Sequence, residues 1–173
     1  IWMRLAGVNL LVDPGPGALV RCAQSRPRLD PATLQAVLLS HRHLDHANDA
    51  NVILDRLLSR IPGRFLAVTS VDLYTSSLNL NFIFGQAQCP GRGAVVSTHR
   101  LDPSFYGAEP DPGLFFERLV KESVHELGHT FGLLHCPNPR CVMSFSNSVL
   151  DVDRKGRDFC SRCRQMFKNS ATL

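Results

Sequence analysis

An α+β fold is what this sequence predicts, on three observations. Short apolar runs punctuated by Gly, Pro and Asp fill the amino-terminal half, the mark of strands and turns. After Asp111-Pro112, the residues Leu114, Phe115, Leu119 and Val120 recur near the helical period. Beyond that helix the chain carries Cys136, Cys141, Cys160 and Cys163 in two closely spaced pairs.

The elements follow in order. Gly7-Val8-Asn9-Leu10-Leu11-Val12-Asp13-Pro14-Gly15 reads as a strand ending in a turn. Leu29-Asp30-Pro31-Ala32-Thr33-Leu34 suits a short helix, with Asp30 as cap and Pro31 at its first position. Residues 36–40 form a buried-strand candidate.

The most informative stretch is His125-Glu126-Leu127-Gly128-His129-Thr130-Phe131-Gly132-Leu133-Leu134-His135. On a helix, His125 and His129 lie on one face, one turn apart, so one zinc ion can take a nitrogen from each. Glu126 stands beside the first ligand, where a carboxylate can act as general base. Gly132 lets the helix end in a left-handed residue, bringing His135 toward the same ion. Three histidines leave a fourth position open, as a catalytic zinc requires. The pattern is the metzincin signature, and Met143 then stands where a methionine turn would floor the ligands.

The string from His125 through Cys163 resembles the archaemetzincins. Val68-Thr69-Ser70-Val71-Asp72-Leu73-Tyr74, the segment from Leu80 to Ala87, Ala94-Val95-Val96-Ser97 and Glu117-Arg118-Leu119-Val120-Lys121-Glu122 also look like that family. The resemblance covers about residues 50–168. It implies a metzincin-like zincin with a small mixed β-sheet, an active-site helix and a zinc-stabilised C-terminal subdomain. It also implies two zinc ions per chain. One is catalytic on His125, His129 and His135 with Glu126 as base; the other is structural on Cys136, Cys141, Cys160 and Cys163. A disulfide reading of the cysteines competes, but two close pairs after a zinc motif suit metal better. The implied activity is hydrolysis of peptide bonds by a metal-activated water, with substrate extended along an edge strand at 94–97. Two other readings stand beside it: a catalytically silent, zinc-stabilised binding protein, and a metallo-β-lactamase-like hydrolase.

The last reading comes from the other end. The strand at 36–40 leads into His41-Arg42-His43-Leu44-Asp45-His46, an order that resembles the metallo-β-lactamase fold. There His41 and His43 would hold one metal, and Asp45 and His46 a second. The chain has seven histidines, and only His99 is left over for the further ligands that family needs. The expectation is a metal-free remnant at 1–47, followed by the archaemetzincin-like domain at 48–173; residues 36–40 would stand in for that family's first strand, residues 51–58 would be its first helix and residues 65–68 its next strand, a βαβ unit with parallel strands.

Composition bounds the partners. A net charge of +4 is modest and scattered, which argues against nucleic acid. Arg21, Arg26, Arg28, Arg154, Lys155 and Arg157 read as solvated surface. No run is long and apolar enough to span a bilayer, and no signal peptide is evident. Peptide is the expected partner, a monomer the expected state. Reduced, metal-bound cysteines point to a cytoplasmic setting, with Cys22 and Cys89 left as unpaired thiols.

Overall fold

The computed structural model describes residues 1–34, 36–39, 63–75 and 80–171. Its strands are β1 (Trp2–Leu5), β2 (Val8–Val12), β3 (Ala36–Leu39), β4 (Phe65–Thr69), β5 (Leu73–Thr75), β6 (Leu80–Ile83), β7 (Gly85–Ala87) and β8 (Gly93–Ser97). Six of them form one sheet in the order β1-β2-β3-β4-β8-β7. The four central strands run parallel, and the two outer ones are antiparallel to their neighbours. β5 and β6 pair separately.

The expected parallel pairing is present, with Leu38 opposite Val68 and Leu39 opposite Thr69. Strands from both sides of position 47 therefore share one sheet. The helix expected at 51–58 and the motif His41, His43, Asp45, His46 lie outside the described residues. At the amino-terminal end, the sequence does not announce β1 or the helix before β3. β1 folds back on β2 through Ala6-Gly7, both at positive φ, without the Asn-Gly signature that announces such turns. Helix α1 (Ala18–Gln24) fills the connection toward β3 and buries Cys22. The short helix expected at 29–34 is a single 3₁₀ turn, Pro31–Thr33.

One expectation is corrected. The substrate strand was placed at 94–97, but these residues belong to β8, which is hydrogen-bonded to β4 on one side and β7 on the other. Its backbone donors and acceptors are already used. Among the described strands the edge on this side is β7.

Helix α2 (Pro112–Thr130) starts as its sequence predicts: Asp111 accepts from the Leu114 N–H at 2.9 Å, and Pro112 occupies the first turn. It packs across β8 and β7. Phe84, Val96, Leu101, Val149 and Val152 form the core here, with Phe115 and Leu119 against them. The helix continues toward the site with a buried polar stripe: Arg118, Lys121, Glu122, His125 and Glu126. Arg118 meets Asp153 at 2.7 Å and donates to the Leu101 carbonyl.

Two short helices complete the chain, α3 (Val149–Arg154) and α4 (Ser161–Ala171). Here a second expectation fails. Arg154 and Arg157 are exposed as expected, but Lys155 is fully buried and ion-paired with Glu122 at 2.8 Å. A charge pattern along the chain could not reveal it, because its partner lies on another element.

Candidate active site and metal centres

The end of α2 is built by capping. Gly132 takes φ 83°, the Gly132 N–H donates to the His129 carbonyl at 2.8 Å, and the Leu133 N–H to Gly128 at 3.2 Å. This is a Schellman ending, with Leu133 buried beneath it. The chain reverses there, and His135 comes back beside the helix. Ring centroids of His125, His129 and His135 are 4.7 to 5.4 Å apart.

Backbone carbonyls orient both helical rings. His125 Nδ1 lies 2.8 Å from the Val142 carbonyl, and His129 Nδ1 lies 2.6 Å from that of Leu133. A carbonyl only accepts, so each Nδ1 carries the proton and each Nε2 presents a lone pair. The two Nε2 atoms face each other at 3.1 Å. Two lone pairs meeting at that distance repel unless a cation lies between them. Tetrahedral zinc with ordinary zinc–nitrogen bonds sets such an edge at ~3.3 Å. Burial falls from His125 through His129 to His135, so the group opens on one side.

Met143 is fully buried against α2. Its sulfur packs so closely on α2 that a Cβ added at Gly128 would fall 2.5 Å from it. Gly128 is thus the space that admits the methionine, a role its place in the motif did not announce. Phe145, just beyond, packs on the His135 ring with centroids 4.9 Å apart.

Glu126 is buried at the base of a cleft of about 710 Å³, whose walls include Phe82, Phe84, Gly85, Cys89 and Leu134 with the three histidines. Its side chain lies against edge strand β7, where a Cβ on Gly85 would come within 2.7 Å of Oε1. Burial raises the Glu126 carboxyl to about 8; the charge of Glu122 adds to this and Lys155 opposes it. The histidines shift the other way, lowered chiefly by burial. Neutral imidazoles are the form that binds metal.

The Glu126 shift has a measurable sign. Its folded value exceeds its ordinary 4.5, so in metal-free protein its contribution is favourable at low pH and is lost as pH rises from 4.5 through about 8. A glutamine cannot ionise. Metal-free Glu126→Gln should therefore gain stability over the parent at pH 9 by on the order of a few kcal/mol, and little at pH 4. Thermal melts at the two pH values measure this; equal differences at both would contradict the buried-carboxylate environment.

Cys136, Cys141, Cys160 and Cys163 also converge, their sulfurs within 4.8 Å of one another. Cys136 and Cys160 are 3.8 Å apart, far beyond a disulfide bond of ~2.05 Å. That spacing matches the ~3.8 Å sulfur–sulfur edge of tetrahedral zinc. The Cys160 thiol is lowered to about 7, first by the Cys163 backbone N–H, whereas burial raises Cys141 and Cys163. The two clusters share a frame. His135 precedes Cys136, Val142 stands between Cys141 and Met143, and the Cys136 N–H donates to the Met143 carbonyl at 2.8 Å.

A family model for peptidase family M54 matches residues 11–169. The chain belongs to peptidase family M54. The M54 match starts at residue 11, within the 1–47 segment expected to lie outside the family, and so extends well upstream of residue 50. An archaemetzincin from Methanopyrus kandleri is 57% identical over 107 residues, which cover 62% of this chain and 57% of that protein. One from Methanocaldococcus jannaschii is 51% identical over 113 residues, covering 65% and 62%. The crystal structure of the Methanopyrus kandleri archaemetzincin matches with a TM-score of 0.62 at 39% identity, over 95% of this chain and 94% of that one. A zinc-dependent peptidase from Methanocorpusculum labreanum gives 0.63 at 25% identity, over 91% and 97%. The chain spans little more than half the length of the sequence relatives it matches. Among the described residues, no helix of this M54 protein is long and apolar enough to cross a membrane.

Proposed function

We propose that the chain is a zinc-dependent peptidase, with catalytic zinc on His125, His129 and His135 and a second, structural zinc on Cys136, Cys141, Cys160 and Cys163. The observation that carries this is the pair of Nε2 lone pairs converging at 3.1 Å beside a buried carboxylate in an open cleft. Membership of M54 and likeness to proteins named archaemetzincin and zinc-dependent peptidase support it.

Zinc bound by the three imidazoles would supply a Lewis acid that activates water and polarises the scissile carbonyl. The protein's own groups do the rest. The Val142 and Leu133 carbonyls hold His125 and His129 in the tautomer that offers Nε2. Glu126 takes the proton of the attacking water and delivers it to the leaving amine nitrogen. The substrate backbone adds as a strand along β7, whose outer edge borders the cleft.

Gly85 sets the distance between that edge and the base. In Gly85→Ala, the added methyl meets both the Glu126 side chain and the Val95 carbonyl of β8, so the carboxylate and the edge strand must shift apart, and kcat should fall ~10-fold or more with zinc content unchanged. Wild-type kcat in this variant would remove the close approach from the mechanism. The overall test is a peptide-library cleavage assay on protein of measured zinc content. Cleavage should stop with a chelator and return with zinc. A protein that retains two zincs and cleaves nothing would instead be a silent binding module.

A further inference from the structure

Lys155 lies below the histidines with no exposed side-chain surface. Its Nζ is 2.8 Å from Glu122 Oε1, 3.4 Å from the Ser144 carbonyl and 3.5 Å from His125 Nδ1. Glu122 is itself 3% exposed, so both members of this ion pair are buried. Burying two charges is expensive, and apolar replacements of such pairs are often neutral or stabilising. Stability is therefore a weak reason for a pair at this depth.

Its connections give a better one. Glu122 stands on α2, one turn before His125. Ser144 follows Met143, and Phe145, next in the chain, packs on His135. Val142, just before Met143, holds His125 through its carbonyl. Lys155 thus bridges the helix that carries two histidines to the turn that supports the third. We propose that Glu122 and Lys155 are positioning residues, a brace that sets the spacing between α2 and the Met143–Ser144 turn and so the geometry of the three-histidine metal site. The inference rests on reading that trio as a zinc site. It does not depend on whether the loaded protein cleaves peptides.

The test compares zinc affinity of the histidine site, measured by chelator competition, in the parent, Glu122→Gln and the double variant Glu122→Met/Lys155→Met. The ¹⁵N resonances of the His125 ring report its tautomer and surroundings alongside. The double variant should keep a metal-free Tm at or above that of the parent. Its zinc affinity should drop ~10–100-fold, the usual cost of losing support behind a ligand, with displaced His125 resonances. Glu122→Gln still offers Lys155 an amide oxygen, and its affinity should stay within about threefold of the parent. A folded double variant with parental affinity and His125 resonances overturns the proposal. So does a double variant that fails to fold, which would make the pair structural. Loss in Glu122→Gln equal to that in the double variant overturns it too, because charge rather than bridging would then be at work.

Discussion

Glu126→Gln should lower peptide hydrolysis by at least ~10²–10⁴-fold while leaving both zinc ions in place, the range expected when a general base is removed. The amide keeps the size of the side chain, so the contact with Gly85 and β7 persists. No ligand is altered, because His125 and His129 are oriented by the Val142 and Leu133 carbonyls and not by Glu126. What disappears is the cleft carboxylate adjoining His125 that can take and return a proton. Zinc content and turnover on one preparation decide the matter. Undiminished cleavage would reject Glu126 as the base; lost zinc together with lost turnover would assign it to metal binding instead.

Cys160→Ser should do its damage through folding. Metal binding in such a site contributes directly to stability, because the unfolded chain has no formed site. Losing one of four thiolates should lower Tm by roughly 10 °C or more and leave zinc only at the histidines. The loss should also spread. His135 adjoins Cys136, and Val142 and Met143 directly follow Cys141, so a loosened thiolate cluster frees the carbonyl behind His125 and the sulfur packed at Gly128. The histidine zinc should then exchange faster than in the parent. Parental Tm and two retained zincs would remove Cys160 from the structural site.

Much of the site is legible in the sequence, for a reason of distance. The three histidines and Glu126 fall within one helix and its exit, where helical period and a glycine decide their relation. The cysteine pairs are local as well. Strand β3 could be read, and even its partner β4, because alternating and continuous apolar runs report burial. The edge strand could not. β7 and β8 are both short and mixed, and only the hydrogen-bond ladder reveals that β8 is enclosed while β7 is the edge among the described strands. Hairpin β1–β2 was missed because Ala6-Gly7 is a weak turn signal.

Local spacing along the chain was enough to specify which atoms could meet a metal and which carboxylate would stand beside it. Folding in three dimensions was needed to bury Lys155 against Glu122, to lean Glu126 on Gly85 and to seat Met143 on Gly128. Each of these contacts joins residues far apart in the chain. Whether a lysine is solvated or entombed, or a glycine is slack or indispensable, depends on what another element brings to it, and no neighbouring residue records that.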